Sequence, residues 1–375
     1  MDDVSGLLRP ADQSALIDAL TARGYTVLAP VRQGDALTVA PVTALDQVAR
    51  GWTADQTAGT YRLRRRDDAR RFATTPAALP WKRVLHPPEA HLWTARDTGN
   101  GFEMISKPEP PPKQALLGLL PCDLAAIARQ DKVFDNGTFA DPVYTGRREN
   151  ALLIAATCAQ AGDTCFCAAM ETGPDVRSPC DIALTELDDD AGWLVEARSG
   201  KGAEILSGLP LAPVPDTAFT QRDAIAEATA AAQIRTLPAD TPGLLHRHLD
   251  HPHWQAVADR CLSCGNCTNQ CPTCFCSNTE DVTSLDGTIA ERRRVWDSCF
   301  SLDFTYATGR PLRQSTESRY RQWITHKLST WHDQFGESGC IGCGRCITWC
   351  PVGIDITEEA AALAALEDAA EAAHA

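Results

Sequence analysis

The sequence has no apolar run close to the roughly 20 residues that a membrane-spanning helix needs, and its first residues, MDDVSGLLRPADQ, contain no apolar signal segment. We therefore expect neither a membrane span nor a secretory signal. Basic residues are also fewer than acidic ones: the chain has 35 lysines and arginines and 49 aspartates and glutamates, which gives a net charge of −14. A chain of this charge is repelled by phosphate backbones, so we expect no nucleic-acid partner.

A dinucleotide fingerprint is missing as well. The predicted buried strands ALLGLLP and ALLIAAT are not followed by G-x-G-x-x-G, the loop that lets a backbone approach a pyrophosphate. The predicted strands therefore lead into no obvious dinucleotide-binding site.

Cysteine, by contrast, is abundant. The chain of 375 residues has sixteen, of which eleven lie between residues 261 and 350. Without a secretory signal, such thiols are expected to be reduced or to bind metal in the cytoplasm, and not to form disulfides. Their uneven distribution predicts a division of the chain into residues 1–240, 244–360 and a helical tail at 361–375.

Two cysteine runs carry the strongest chemical signal. CLSCGNCTNQCP and CIGCGRCITWCP both have the C-x2-C-x2-C-x3-C-P spacing of bacterial-type [4Fe–4S] sites. Three closely spaced thiolates wrap one cube, and the fourth points toward the other cube. Zinc sites prefer two separated cysteine pairs and have no use for the x3-C-P ending. We predict Cys261, Cys264, Cys267 and Cys350 on cluster 1, and Cys271, Cys340, Cys343 and Cys346 on cluster 2.

The first half contains a second group of cysteines. Cys122 follows one predicted buried strand, and Cys158, Cys165 and Cys167 follow the next. In an α/β sheet such strand ends lie side by side, where sites usually form. These four residues are predicted to hold a third [4Fe–4S] cluster; the alternative is that they are buried free thiols. Cys180, which follows a proline, is a second candidate for the place of Cys122.

Cys274, Cys276 and Cys299 are surplus to the two ferredoxin-type clusters. Three alternatives are open for these residues: they bind another metal, they form a redox thiol site, or they pack around the clusters. Three ligands without a fourth favour packing or a thiol site over a further cluster.

The pattern of apolar runs predicts an α+β fold, with an N-terminal α/β domain followed by a mostly α-helical two-cluster ferredoxin domain. Within it we predict a helix at 10–22, a polar irregular segment at about 60–112, and a hairpin made by DIALTEL and GWLVEARS. Residues 286–299 and 311–335 are interpreted as helices that pack over the clusters.

Several segments together resemble one family. These are PCDLAAIARQDKVF, DPVYTGRRENALLIAATC, GDTCFCAAMETGP, CGNCTNQCPTCFC, WDSCFSLDFTYATG, SRYRQWITHKLSTWHDQFG and SGCIGCGRCITWCPVGIDI. They are similar to the 4Fe-4S dicluster family that contains the beta subunits of cytoplasmic nickel–iron sulfhydrogenases and the A subunits of anaerobic sulfite reductases. The resemblance covers roughly residues 113–360. Cys122, Cys158, Cys165 and Cys167 fit the family pattern, whereas Cys180 and Glu171, where a glycine is usual, depart from it.

The resemblance implies an electron-transfer subunit of a cytoplasmic, NAD(P)-linked nickel–iron hydrogenase. Its partners would be a flavin- and NAD(P)-binding subunit and the hydrogenase small and large subunits, and no residue of this chain would be catalytic. An alternative is the same role beside a sirohaem subunit in an anaerobic sulfite or sulfur reductase. Two alternatives of other classes are a thiol-based sulfur-reducing enzyme that uses Cys274, Cys276 and Cys299, and a zinc-stabilised scaffold without redox function.

Overall fold

A computed structural model describes residues 4–106, 110–188 and 191–374. Within these residues, no helix is both long and apolar enough to span a membrane. The strands are β1 (Ser5–Leu8), β2 (Thr26–Gln33), β3 (Ala36–Val42), β4 (Trp52–Thr57), β5 (Thr60–Arg65), β6 (Glu89–Asp97), β7 (Phe102–Ser106), β8 (Gln114–Leu119), β9 (Ala151–Ala156), β10 (Ile182–Glu186), β11 (Trp193–Ala197), β12 (Ser277–Thr283), β13 (Ile289–Trp296), β14 (Tyr306–Ala307) and β15 (Arg310–Pro311).

The helices are α1 (Ser14–Ala22), α2 (Lys82–Leu85), α3 (Pro121–Phe134), α4 (Pro142–Glu149), α5 (Gly200–Leu206), α6 (Thr217–Ala231), α7 (Thr241–Arg247), α8 (His253–Ala258), α9 (Asn266–Gln270), α10 (Thr316–Thr325), α11 (Trp331–Phe335), α12 (Arg345–Thr348) and α13 (Ile356–His374). A π-helical turn at His326–Thr330 joins α10 to α11. Short 3₁₀ turns occur at Pro10–Asp12, Leu45–Gln47 and Asp303–Thr305.

A seven-stranded sheet in the order β1-β11-β10-β9-β8-β2-β3 forms the centre of the N-terminal half. The pairs β10/β9, β9/β8 and β8/β2 are parallel, and the outer pairs are antiparallel. Every residue of β9 is buried. Leu152 and Ile154 belong to the core cluster that contains α1 and α5, whereas Leu153 and Ala155 belong to the one that contains α3. This alternation shows a sheet covered by helices on both faces, as the continuous apolar runs predict.

A second sheet, in the order β12-β13-β6-β7, contains strands from both halves of the chain. Its central pair is antiparallel, and Arg292 of β13 lies opposite Trp93 of β6. The predicted helix at 286–299 is therefore wrong, because β13 occupies residues 289–296. The irregular segment predicted for 60–112 is also wrong in part, since it contains β5, β6 and β7. The cluster-bearing half is consequently mixed, and its description as mostly helical is not confirmed.

The other local predictions agree better with the structure. The helix predicted from residue 10 begins as a 3₁₀ turn and continues as α1, and β10 and β11 form the predicted antiparallel hairpin. Residues 189–190 of its turn lie outside the described residues. Two aromatic residues of the C-terminal insert, Tyr320 and Trp323, are core residues, buried in the cluster that also contains Trp254 and Cys340.

Candidate iron–sulfur sites

The structure brings Cys261, Cys264, Cys267 and Cys350 together, and we call these four residues set 1. They line one pocket together with Phe300, Tyr320 and Trp323, and Cys346 of the second run lines it as well. Cys264 is exposed, and Cys261, Cys267 and Cys350 are half-buried. The four cysteines therefore converge on one pocket near the molecular surface.

Set 2 consists of Cys271, Cys340, Cys343 and Cys346, and only Cys346 among them is not fully buried. Burial, and then the charges of Cys340, Cys343, Cys271 and also Cys267 of set 1, raise the pKa of the Cys346 thiol, so Cys346 lies near cysteines of both sets. Burial raises the pKa of the Cys340 thiol to about 12. A thiol in this environment stays protonated unless a cation compensates its charge, and metal coordination supplies that compensation.

Both runs wrap their sites by the same local device. Gly265 and Gly344 adopt φ values of 70° and directly precede α9 and α12, and this left-handed conformation favours glycine. Backbone amides then point at sulfur: Ser263 N lies 3.4 Å from Cys261 Sγ, Gly342 N 3.4 Å from Cys340 Sγ, and Ile354 N 3.2 Å from Cys350 Sγ. Such N–H···S bonds stabilise the thiolate and tune the potential of a bound cluster.

Set 3 consists of Cys122, Cys158, Cys165 and Cys167, all of them buried. Cys122 lies in the first turn of α3, immediately after β8, and Cys158 lies just after β9, so both occupy the carboxyl edge of the parallel sheet. Cys165 and Cys167 belong to the loop that follows β9. The thiols of this set lie close together. In addition to burial, the charges of Cys167 and Cys158 raise the pKa of Cys165, and the charge of Cys167 raises the pKa of Cys122. Gln233 Nε2 donates to Cys167 Sγ at 3.3 Å.

Cys180 lies apart from set 3. It packs in the core cluster below α3 with Leu153 and Ala183, not with the other thiols. Cys122, and not Cys180, is therefore the residue that completes the group of four. Glu171 adopts φ 56°, a left-handed conformation, so the position at which the resembling family usually has glycine is one where the backbone favours it.

Set 3 packs directly against set 2. Phe166 N donates to Gly342 O at 2.8 Å, and Thr172 Oγ1 donates to Ile341 O at 2.6 Å. A Cβ atom on Gly342 would lie 2.5 Å from Phe166 C, so the two loops approach as closely as their backbones allow. Cys343 belongs to the same buried cluster as Cys122, Cys158 and Cys167. Cys346 of set 2 also lines the pocket of set 1, so these two sets adjoin.

Two buried cations lie among these sulfurs, and sequence reasoning missed both. Lys327 Nζ lies 3.1 Å from Cys271 Sγ and 3.0 Å from Thr273 Oγ1. Burial alone would lower the pKa of Lys327, but the charges of Cys271, Cys274 and Cys340 outweigh burial and raise it. The π-helical turn that contains Lys327 aims it inward, and such turns are frequent at functional sites.

Arg345 is the second buried cation and is 2% exposed. Its guanidinium donates to Asp123 Oδ1 at 3.0 Å and Ala77 O at 3.3 Å, while its Nη1 atom has no partner. Burial opposes its charge, but Asp123, Cys343 and Cys122 outweigh burial and raise its pKa. A fixed positive charge thus lies between set 2 and set 3. Arg345 lies inside the second cysteine run, so its position in the sequence indicated that it is near a cluster. The sequence did not indicate whether its side chain is buried or exposed.

The donor sets fit iron–sulfur clusters better than single ions. Within the described residues, no three or more His, Cys, Asp or Glu side chains have the spacing of a single-ion site. Each set offers four thiols, and the loops that carry these thiols contain glycines or backbone amides close to sulfur. Sets 2 and 3 also have a buried cation nearby.

Comparison with known proteins agrees with this class. A family model described as a 4Fe-4S dicluster domain matches residues 260–354, which contain sets 1 and 2. The chain is therefore a protein with a [4Fe–4S] dicluster domain. It is 30% identical over 284 residues to sulfhydrogenase 2 subunit beta of Pyrococcus furiosus, an alignment that covers 74% of this chain and 83% of that protein. The chain belongs to the sulfhydrogenase beta-subunit family and is an iron–sulfur electron-transfer protein. No solved structure matches it.

Proposed function

We propose that the chain is the electron-transfer beta subunit of a cytoplasmic, NAD(P)-linked nickel–iron hydrogenase. Cys261, Cys264, Cys267 and Cys350 would hold cluster 1, Cys271, Cys340, Cys343 and Cys346 would hold cluster 2, and Cys122, Cys158, Cys165 and Cys167 would hold a third [4Fe–4S] cluster. The supporting observation is the order of the three sets: set 2 contacts set 3 through Cys343 and approaches set 1 through Cys346. Such an order suits electron passage across the chain.

When bound, a [4Fe–4S] cluster exchanges one electron at a time, at a potential set by charge, hydrogen bonds and exposure. The residues of the chain then control where electrons enter and leave. Exposed Cys264 and Leu262 leave set 1 near the surface, where a partner can approach. Buried Lys327 favours the more negative, reduced form at set 2, whereas the charge of Arg345 is paired with that of Asp123. No side chain is required to bond to a substrate.

The partners follow from family membership. Sulfhydrogenase 2 subunit beta is named as one subunit of a larger enzyme, so we propose a hetero-oligomer in which a flavin subunit handles NAD(P)H and a small subunit adjoins the nickel–iron site. Affinity purification of the tagged chain from its native cells tests this directly. Nickel, flavin and hydrogenase subunits in the purified complex are expected; sirohaem and a sulfite reductase subunit would replace the proposal by its alternative.

The third cluster has a separate test. Anaerobically purified protein should contain about twelve irons per chain if all three sets are filled and about eight if only two are. Replacing Cys158 by serine is expected to lower the content from about twelve to about eight, and the matched change Cys180→Ser, at a buried thiol outside every set, is expected to leave it unchanged. About eight irons in the unaltered protein would contradict a third cluster.

A further inference from the structure

Three thiols outside the cluster sets line a separate cleft. Cys274, Cys276 and Cys299 lie on its wall with Arg313, Gln322 and Lys327, and the cleft has a volume of about 480 Å³. This volume is within the usual range for small-molecule sites. Cys276 is half-buried at the wall, whereas Cys299 is buried behind it.

Cys276 and Cys299 form a close pair. Both residues line the same cleft, and hydrogen bonding from Cys299 is the main influence that lowers the pKa of the Cys276 thiol. The antiparallel ladder of β12 and β13 enforces this proximity, because Ser277 pairs with Trp296 and Asp297 N donates to Cys276 O at 2.9 Å. Cys274 is engaged differently, since its thiol bonds to Cys271 of set 2.

The pair lies near both ferredoxin-type sites. Ser298, next to Cys299, shares a hydrogen bond of 2.7 Å with Thr268, next to Cys267 of set 1. Lys327 lines the cleft and lies 3.1 Å from Cys271 Sγ of set 2. Reducing a disulfide to two thiols takes two electrons. Two neighbouring sites that each supply one electron would together supply that number.

The surroundings suit a nucleophilic thiol. Hydrogen bonding from Cys299, together with the positive charges of Lys327 and Lys82, lowers the pKa of Cys276 to about 7. Lys82 is buried, donates to Cys274 O at 3.1 Å, and lies 3.8 Å from the centre of the Trp296 ring. A thiolate with a pKa near the ambient pH is the best attacking group in thiol–disulfide exchange.

We propose that Cys276 and Cys299 are a redox-active dithiol that reduces small organic disulfides entering this cleft. The Cys276 thiolate attacks one sulfur of the substrate, breaks its S–S bond and releases one organic thiolate, which takes a proton. Cys299 then loses its proton and attacks the Cys276 sulfur, releasing the second organic thiol and leaving a Cys276–Cys299 disulfide. Two electrons from a low-potential one-electron donor and two protons from solvent restore both thiols.

The net reaction converts one disulfide, two electrons and two protons into two thiols. The donor is reduced viologen in the experiment and, in the protein, the iron–sulfur clusters proposed at sets 1 and 2. The inference rests on the proposed function only for this source of electrons. Formation of the internal disulfide depends on the chain's own residues alone.

The first test therefore reads the disulfide itself. Full-length protein, purified without air and with its clusters, is treated with 2-hydroxyethyl disulfide, alkylated, digested with trypsin and analysed by mass spectrometry. The expected product joins the peptide of Cys276 to that of Cys299 and disappears after reduction by dithionite. Absence of this cross-link, or its assignment to Cys274 instead of Cys276, would overturn the proposal.

The second test reads turnover, with reduced methyl viologen as donor and 2-hydroxyethyl disulfide as acceptor. Cys276→Ser and Cys299→Ser are each expected to abolish the reaction, and Cys180→Ser is expected to retain the rate of the unaltered protein. Iron content and the paramagnetic signals after dithionite are measured on every variant. Loss of iron in Cys276→Ser would instead make that residue a cluster ligand and end the proposal. Low iron in the unaltered protein would count against the proposed clusters, while the cross-link would still decide the dithiol.

Discussion

At the scale of single residues, Lys327 has the clearest electrostatic role. Its ammonium lies 3.1 Å from Cys271 Sγ and is 5% exposed, so solvent screens it little. Replacing Lys327 by methionine removes a charge that favours the reduced form of cluster 2. The midpoint potential of that cluster is expected to fall by on the order of 100 mV, from Coulomb's law at an effective dielectric constant of about 20. A redox titration followed by electron paramagnetic resonance measures it.

Two controls separate charge from structure. Lys327→Arg keeps the charge and is expected to keep most of the potential, and Lys201→Met removes an exposed lysine and is expected to leave it unchanged. An unchanged potential in Lys327→Met, with full iron content, would show that Lys327 only fills space. The sequence could predict how the cysteines of sets 1 and 2 group together, because the spacing within each run is a local pattern. It could not predict Lys327, because its contact with Cys271 spans 56 positions and needs an uncommon π-helical turn.

At the scale of elements, the loop of Cys165 and Cys167 packs on the loop that leads into α12. A Cβ atom on Gly344 would lie 2.2 Å from Thr164 O, a backbone atom that cannot move alone. Gly344→Ala is therefore expected to destabilise the protein by about 3 kcal/mol, because overpacking adds to the strain of φ 70°. Gly287→Ala is the matched control, since its φ is 73° and nothing lies near the added atom. Thermal unfolding measures both, and equal midpoints would contradict a packing role for this contact.

The same scale shows why β13 was predicted as a helix. The segment around ERRR has no clear alternation, and its residues are mostly half-buried, so its periodicity carries little information. Its strand conformation depends on pairing with β6, about 200 positions away, and tertiary pairing of this kind overrides local preference. By contrast, β8, β9 and α3 were predictable from the sequence. The two strands are continuous apolar runs because both faces of the sheet are buried, and the helix that follows β8 is largely buried as well.

At the scale of the whole molecule, the cysteine sets connect parts of the chain that are distant in sequence. Sets 1 and 2 each take ligands from both runs, and set 3 joins residues 122–167 to the loop of set 2. The seven-stranded sheet has its own apolar core and needs none of these links. Removing iron is therefore expected to release the cluster-bearing segments while the sheet remains folded, because metal binding and local folding are coupled.

Limited proteolysis after anaerobic chelation tests this expectation. The earliest cuts are expected within residues 261–276 and 338–353, with β8, β9 and β10 protected, and reconstitution with iron and sulfide should restore resistance. Cys180→Ser should behave like the unaltered protein, since that thiol belongs to the core and to no set. Early cleavage in the sheet would mean that the clusters stabilise the entire chain. Unchanged resistance everywhere would mean that apolar packing around Trp254, Tyr320 and Trp323 alone holds the empty sites together.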